Sequence, residues 1–277
     1  MSLYITSLNS GSNGNCYYIG NEREAVLVDA GISCREIERR MKRLGLNIQK
    51  VKAIFVSHEH SDHIKGICAL VKKYSIPVYI TDRTHIACAF TLESHLVQSF
   101  NSNEPVVIGD LAITAFSKMH DACDPHSFVV TCGNTKVGVF TDIGTPCKNL
   151  IKHFKQCNAA FLESNFDEEM LHSGNYPYYL KKRISGGNGH LSNNQALDLF
   201  TQHKPSFMSH LLLSHLSKNN NCPQLVQQLF DQYAAGVKMI VASRDAETEV
   251  YYVTNPGKEN LKKNYKTSPA QLAFSFV

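Results

Sequence analysis

The densest group of metal-ligand side chains in the sequence is one six-residue segment that reads His58-Glu59-His60-Ser61-Asp62-His63. It follows a short apolar run, residues 53–57, that is typical of a buried strand. Residues i and i+2 of an extended loop point the same way, so His58 and His60 can bind one ion. Asp62 and His63 fall at the start of the next turn and point elsewhere. Packing does not explain so many ligand types in a polar loop, and their spacing predicts two neighbouring metal ions.

Ligand-type residues follow other predicted strands as well. Asp142 and His215 each come at the end of an apolar strand-like run, and His120 lies close to the end of another. Asp142 could bridge both ions. An aspartate after a strand is often only a turn former, but recurrence of the same arrangement favours a ligand role. His126 competes with His120 for the third position, and these residues alone do not separate the two.

Such a ligand set predicts hydrolytic chemistry. Two divalent ions about 3.5–4 Å apart can lower the pKa of a water molecule to about 7 and neutralise charge on the oxygens of a displacement. Nitrogen and oxygen ligands suit zinc, manganese or iron, and zinc is our first choice. The expected cofactors are therefore two divalent metal ions.

The elements that must position these residues alternate between β-rich runs and amphipathic helices. A β-meander is predicted at the start of the chain, over 4–8, 16–19 and 25–29. A helix should begin after Ser33, where Ser33 and Glu36 form a capping-box pattern, and another after Ser192 with Gln195. Meander and βαβ units occur twice, which predicts an α/β fold of two sheets packed face to face with helices outside. One domain is expected over residues 1–277.

Composition limits the class of protein. The chain has 277 residues, of which 43% are hydrophobic and 19% charged, so it can form a sizeable core. No apolar run approaches the roughly 20 residues that span a bilayer, and the N-terminus lacks a secretory pattern, so we expect a cytoplasmic protein without membrane association. The nine cysteines include no Cys-x-x-Cys pair. Lys and Arg exceed Asp and Glu by 28 − 24 = 4, which permits polyanion binding without indicating non-specific coating of nucleic acid.

The metal-ligand pattern resembles the metallo-β-lactamase superfamily of binuclear hydrolases over essentially the whole chain. Four further segments resemble, more narrowly, the bacterial YycJ (WalJ) family: Ser10-Gly11-Ser12-Asn13-Gly14-Asn15-Cys16, Lys118-Met119-His120-Asp121-Ala122, Gly189-His190-Leu191-Ser192-Asn193 and Leu213-Ser214-His215-Leu216-Ser217. The resemblance implies a four-layer αββα sandwich and 5′-to-3′ degradation of DNA.

This resemblance also implies a division of the ligands. His58, His60 and His120 would hold the first metal, Asp62, His63 and His215 the second, and Asp142 would bridge them. His120 is preferred to His126 because it occupies the His-Asp-Ala position of the family.

Glu163, His190 and His215 resemble three extra motifs of the β-CASP nucleases, in which the middle histidine binds the scissile phosphate. Here only 190 − 163 = 27 positions separate the acid from that histidine, so the cap domain of those nucleases is missing. Long single-strand threading is therefore not expected. A direct role of Glu163 at the metal centre is one interpretation. At least as good an explanation is that Glu163 is a structural ion-pair partner or a group that positions a ligand histidine.

A short segment rich in tyrosine and cations replaces the cap. Three tyrosines precede Lys181, Lys182 and Arg183, which stand shortly before His190. The tyrosines could stack on bases and the cations could contact phosphates, with Ser192 as a further substrate contact. The alternative is an amphipathic helix from Pro177 with inward-packed tyrosines and solvated charges. A weaker basic patch, interpreted as solvated, comprises Lys258, Lys262, Lys263 and Lys266.

The leading hypothesis is a metal-dependent phosphodiesterase that acts on nucleic acid, with DNA favoured. A small-molecule hydrolase of thioesters, lactones or cyclic nucleotides is the alternative, and it would need an enclosed apolar pocket beside the metals. A regulatory module that keeps metals for structure is a third hypothesis, and the intact ligand set argues against it. The sequence does not indicate an oligomeric state.

Overall fold

The computed structural model describes residues 1–88 and 90–255, so the lysines at 258, 262, 263 and 266 lie outside the described residues. The strands are β1 (Ser2–Asn9), β2 (Cys16–Gly20), β3 (Ala25–Val28), β4 (Val51–Phe55), β5 (Val78–Tyr79), β6 (Val97–Gln98), β7 (Pro105–Ile108), β8 (Leu111–Ser117), β9 (His126–Cys132), β10 (Thr135–Phe140), β11 (Ala159–Glu163), β12 (His210–Ser214), β13 (Lys238–Val241) and β14 (Tyr251–Thr254). The α-helices are α1 (Cys34–Arg43), α2 (Ser61–Ile64), α3 (Ile67–Tyr74), α4 (Asp82–Ala87), α5 (Lys148–Phe154), α6 (Glu168–Ser173), α7 (Tyr178–Ser185), α8 (Asn193–His203) and α9 (Pro223–Asp231). Within the described ranges, no helix is long and apolar enough to cross a bilayer.

The strands form two seven-stranded sheets of similar construction. The first has the order β14-β1-β2-β3-β4-β5-β6, and the second has the order β13-β12-β11-β10-β9-β8-β7. Each sheet joins an antiparallel meander to a parallel half, with the change of direction at the β3–β4 pair and at the β10–β11 pair. Parallel neighbours need a crossover, and α1 supplies it between β3 and β4.

Three apolar layers separate the sheets and helices. One core lies between the two sheets, and each sheet packs its other face against helices. Alternate residues of one strand divide between layers: Phe161 of β11 contributes to the core between the sheets, whereas Leu162 packs with the helices outside the second sheet. Both faces of these strands are therefore buried, which explains their continuous apolar runs. This arrangement confirms the predicted four-layer αββα sandwich.

Several local predictions need correction. The short strands β6 and β7 and the short helices α4 and α6 were not predicted, because two- to six-residue elements carry little periodicity. Ser33 caps α1 as expected, but the side chain of Glu36 does not complete the box and bonds Arg39 at 2.7 Å. At α8, both bonds of the predicted capping box with Ser192 are present.

Candidate metal centre

The predicted ligands converge beyond the ends of strands from both sheets, which are β4 in the first sheet and β8, β10 and β12 in the second. His58, His60 and His120 place ligand atoms within 4.8 Å of one another, and so do Asp62, His63 and His215. These two triads have the same members as the two ligand groups inferred from the sequence and the family resemblance. The first triad combines the loop after β4 with the segment after β8, and the second combines the β4 loop with the residue after β12.

Asp142 lies between the two triads. One carboxylate oxygen, Oδ2, is 3.4 Å from His63 Nε2, and the other, Oδ1, is 3.8 Å from His120 Nε2 and 3.1 Å from His215 Nδ1. A carboxylate in this position can contribute one oxygen to a cation on either side.

Four candidate ligand histidines are anchored through Nδ1 and turn Nε2 toward the centre. The anchors are Ser57 Oγ for His58 (2.8 Å), Asp29 Oδ2 for His63 (2.7 Å), the Gly189 carbonyl for His120 (3.1 Å) and Glu163 Oε1 for His215 (3.0 Å). Metal-binding histidines characteristically use their second nitrogen in this way, because the anchor fixes the ring and its tautomer.

The donor atoms at the centre fit divalent cations. His120 Nε2, His215 Nε2 and Asp142 Oδ2 are buried and have no hydrogen-bond partner among the described residues. Buried polar atoms are rarely left unpaired, and cations held by the two triads would satisfy these three. Imidazole nitrogens and carboxylate oxygens in this combination suit zinc, manganese or iron.

The electrostatics of the first triad and of Asp142 also favour cation binding. Burial lowers the pKa of His58 well below its usual value and that of His120 to about 4, so both rings keep a free lone pair at neutral pH. Burial alone would raise the pKa of Asp142, but His215 and His63 hold it well below its usual value. The buried carboxylate is therefore ionised. In the second triad, burial alone would lower the histidine pKa values, but the neighbouring carboxylates raise that of His215 to about 10 and that of His63 well above its usual value, so an ion bound there would displace their protons.

Glu163 is buried beneath the centre and positions two histidines. Its carboxylate accepts bonds from His190 Nδ1 (2.8 Å), His215 Nδ1 (3.0 Å) and the backbone N–H groups of Ile143 (2.7 Å) and Leu191 (3.2 Å). A carboxylate has about four acceptor sites, so these donors use its whole capacity. The geometry therefore favours the positioning role for Glu163 over direct metal contact.

Unusual backbone conformations direct three of these residues into the centre. Asp29, Asp142 and His215 each follow a strand closely and have left-handed φ angles of 60°, 55° and 57°. Outside glycine this region is uncommon, although Asp and His adopt it more readily than most residues. Non-glycine residues held in this region cluster at functional sites. Gly31 packs closely against the ligand loop. A Cβ at this position would lie 1.7 Å from the Asp62 carbonyl oxygen, so a larger residue does not fit there.

The loop after β1 connects ligands of the two sheets. Asn15 Nδ2 lies 3.3 Å from Asp62 Oδ2 and 3.1 Å from His63 Nε2. Tyr17 donates to Asn15 Oδ1 at 3.2 Å and shares a 2.7 Å bond with Ser10 Oγ, which accepts the His215 N–H at 2.7 Å. Through Ser10 and Asn15, this loop thus links the residues of the second triad to one another.

Comparisons with known proteins identify the family of this chain. A family model described as the β-lactamase superfamily domain matches residues 24–215. The exodeoxyribonuclease YycJ of Bacillus anthracis is 34% identical over 269 residues, which cover 91% of this chain and 100% of that protein. The chain belongs to the YycJ/WalJ family of the β-lactamase superfamily. The exodeoxyribonuclease WalJ of Streptococcus pneumoniae serotype 2 is 30% identical over 79% of this chain and 83% of its own length.

A solved structure shares the same fold. The metallo-β-lactamase fold protein YhfI from Bacillus subtilis matches with a TM-score of 0.70 and 16% identity, covering 91% of this chain and 100% of that one. At this level of identity the likeness concerns the fold, and it agrees with the αββα arrangement described above.

Within this YycJ/WalJ-family chain, the structure separates the two histidines that competed for the third ligand position. His120 lies in the first triad. His126 bonds Ser102 Oγ at 2.8 Å through Nε2 and the Asp124 carbonyl at 2.9 Å through Nδ1, so neither nitrogen is directed to the centre.

Most of the predicted substrate-binding residues besides His190 are already paired with other residues of the protein. Arg183 Nε donates to Asp121 Oδ2 at 2.5 Å, and Lys181 Nζ donates to the His172 carbonyl at 2.5 Å. Ser192 is buried, caps α8 and donates to Glu168 at 2.8 Å, so the geometry gives no support to a substrate contact from its hydroxyl. Lys182 is exposed on α7.

The helix predicted from Pro177 is present as α7, but inward packing of its tyrosines is wrong. Tyr178 is 79% exposed and Tyr179 is 73% exposed, and α7 buries none of its residues.

Asp29 and Lys118 are among the residues at the centre for which no role was predicted. Asp29 holds His63 and also accepts bonds at 2.8 Å from both the N–H and the hydroxyl of Ser57. The sequence contained a pattern that could have identified Asp29, because this residue follows a strand-like run, as Asp142 does. Lys118 is buried, donates to the Thr141 carbonyl at 2.7 Å and has its pKa lowered by burial. No local pattern distinguishes Lys118 from a lysine on the surface.

Proposed function

We propose that the protein is a metal-dependent exodeoxyribonuclease that degrades DNA from its 5′ end. Two relatives that match most of this chain carry the name exodeoxyribonuclease. The anchored histidines and the ionised Asp142 provide donors for two divalent ions, with zinc as the first candidate. The triads His58–His60–His120 and Asp62–His63–His215 would hold one ion each, with Asp142 between them. When bound, such ions would lower the pKa of a water molecule and neutralise charge on phosphate oxygens.

The observation that carries this proposal is the position of His190. Its ring centroid lies 5.3 Å from that of His120 and 5.2 Å from that of His215, yet its side chain is 22% exposed. Since Glu163 accepts the hydrogen on Nδ1 at 2.8 Å, Nε2 is directed away from the anchor. A histidine fixed in this way at the edge of a metal centre can contact an oxygen of the scissile phosphate.

The chain's own residues would perform distinct tasks in the reaction. His190 would orient the phosphate and stabilise the charge that develops on its oxygens, as a preorganised donor. Glu163 would keep both His190 and His215 in place. On α7, exposed Tyr178 and Tyr179 offer faces on which bases can stack, and Lys182 offers a cation to the backbone.

Substrate profiling of the pure protein tests the proposal. 5′-phosphorylated duplex DNA, single-stranded DNA, RNA and bis(p-nitrophenyl) phosphate should each be incubated with and without chelator. We expect metal-dependent release of nucleotides from DNA, progressing from the 5′ end, and loss of this activity in Asp142→Ala. A strand labelled at its 3′ end reports the polarity directly.

Two outcomes would contradict the proposal. Intact DNA together with rapid, metal-dependent hydrolysis of a thioester, a lactone or a cyclic nucleotide would favour a small-molecule hydrolase. Full phosphodiesterase activity in Asp142→Ala would exclude the binuclear mechanism. Lys152→Ala, an exposed change on α5, serves as the control for handling of the variants.

A further inference from the structure

A cavity of about 270 Å³ lies beside Ser10 and the segment that follows His215. Its wall includes Ser10, Ser217, Lys218, Ser243 and Arg244. The volume is at the small end of ligand pockets, which usually measure about 300–1,000 Å³. It can therefore hold a small group, such as a phosphate with part of its sugar.

The polar groups in this cavity are mainly hydrogen-bond donors. Arg244 Nη1 is buried without a hydrogen-bond partner in the described part of the chain. Ser217 Oγ accepts the Asn220 N–H at 3.3 Å, and Ser243 Oγ accepts the Asp245 N–H at 3.0 Å. Each hydroxyl has thus used an acceptor site and keeps its hydrogen for donation.

The charges in the cavity favour an anion. Arg244 and the exposed Lys218 contribute two cations, whereas Asp245 is the acidic residue of the wall. A buried guanidinium nitrogen without a partner is costly, and an oxyanion with several acceptor atoms would satisfy it together with the two hydroxyls.

The wall of the cavity contacts one residue of the candidate metal centre, His215. Ser10 lines it and accepts the backbone N–H of His215 at 2.7 Å. Ser217 and Lys218 follow His215 within three positions of the chain. A group bound here would therefore lie close to the segment that carries His215.

We propose that this cavity binds a second phosphate group of the DNA strand through Arg244, Lys218 and the hydroxyls of Ser217 and Ser243. The proposal rests on the function proposed above, since it takes DNA as the ligand. The bound phosphate could come from either of two parts of the strand, the terminal 5′-phosphate or an internal phosphodiester. Occupation by the terminal phosphate would set the position of the first cleavage.

The first measurement is independent of DNA cleavage. Inorganic phosphate is titrated calorimetrically into the metal-replete protein and into Arg244→Ala, Lys218→Ala and the control Arg23→Ala. Arg23 is exposed and pairs with Asp110 at 3.3 Å, away from the cavity. We expect phosphate binding to weaken about tenfold or more in Arg244→Ala, because a charged hydrogen bond is lost, and to stay unchanged in Arg23→Ala.

The second measurement identifies the source of the phosphate. KM is measured for one single-stranded oligonucleotide with a 5′-phosphate or a 5′-hydroxyl end. A lower KM for the phosphorylated strand that disappears in Arg244→Ala supports binding of the terminal phosphate. Equal KM values for both strands in the wild type, raised together in Arg244→Ala, support binding of an internal phosphodiester.

The two proposals fail in different ways. If Arg244→Ala and Lys218→Ala match the wild type in phosphate affinity and in KM for both strands, the cavity proposal is overturned while exonuclease activity stands. If DNA remains intact but phosphate binding still depends on Arg244, the proposed function is wrong and the anion site is retained. Equal melting temperatures of the variants exclude misfolding as the cause.

Discussion

The candidate centre depends on single atoms that fix each imidazole. Asp29 is the most constrained anchor, because it bonds His63 and both the N–H and the hydroxyl of Ser57. Its three bonds hold the segment directly before His58 and one ring of the second triad. A ring that is free to rotate would spend part of its time with no nitrogen directed to the cation.

Asp29→Asn should therefore weaken metal binding while the fold is kept. One of the two oxygens becomes an NH2 group that faces a donor, so at least one anchor bond is lost. We expect metal affinity to fall about 10- to 100-fold, measured by competition with a chromophoric chelator. Asp110→Asn, at an exposed position, is the matched control. Affinity equal to that of the wild type would show that Asp29 has no role in holding the ligands.

His190 and His215 share the anchor Glu163 but should differ in their variants. His190→Ala should keep its metal content and lower kcat on the order of a hundredfold or more, because a donor to the phosphoryl oxygens is lost. His215→Ala should lose metal from the second triad as well as activity. Elemental analysis beside steady-state kinetics distinguishes these results. If His190→Ala loses metal while His215→Ala keeps it, the roles of metal ligand and phosphate contact are the reverse of those assigned to these two histidines.

At the scale of elements, α7 stands out because it buries none of its residues. The ion pair between Arg183 and Asp121 ties it to the segment that carries His120, and Lys181 ties it to the end of α6. Lys182 is exposed beside two exposed tyrosines, and unlike the other two cations its side chain bonds no other residue of the described ranges. The helix is thus held in place by polar contacts of Lys181 and Arg183, while its two tyrosines and Lys182 face solvent.

Lys182→Ala should weaken DNA binding and flatten its dependence on salt. Each phosphate contact that is lost lowers the log–log slope by about 0.7 for single strands and 0.9 for duplex DNA. Combined replacement of Lys181, Lys182 and Arg183 should produce a larger change. Fluorescence anisotropy over a salt series measures the slope, with Lys152→Ala on α5 as control. If the triple variant keeps the wild-type slope, the cations of α7 do not contact DNA and the helix is simply solvated.

At the scale of the whole molecule, the candidate ligands join the two sheets. The loop after β4 belongs to the first sheet, whereas Asp142 and His215 follow strands of the second. Ions bound between them would cross-link the sandwich at the edge where the parallel strands end. Because the unfolded chain lacks the assembled site, metal binding would add directly to the free energy of unfolding.

Removal of metal should therefore lower the melting temperature. A ligand at a hundred times its Kd stabilises the folded state by about 2.7 kcal/mol, which corresponds to a shift of about 5 °C or more for a chain of this size. Calorimetry with and without chelator measures the shift, and added zinc should reverse it. In Asp142→Ala the shift should be smaller. An unchanged melting temperature, with no metal found after metal-replete purification, would contradict a metal centre between the sheets.

The sequence by itself determined the features that depend on neighbouring residues. Alternation and apolar runs predicted most strands, including β4 and β12. The number of buried faces of a strand determines which of its consecutive residues are apolar. The i, i+2 spacing separated His58 and His60 from Asp62 and His63, since side-chain direction in a short loop follows local geometry. Ser192 predicted the start of α8 for the same local reason.

Tertiary structure alone decided the features that depend on residues far apart in the chain. β14 pairs with β1 in the first sheet, although it follows the last strand of the second. Asp29 reaches His63 only because β3 and β4 are parallel neighbours whose ends meet. The partners of Arg183 and the cavity beside Ser10 likewise depend on contacts between distant segments. Such contacts depend on which sheet edges and loops meet after folding. The hydrophobic periodicity of a single segment does not determine them.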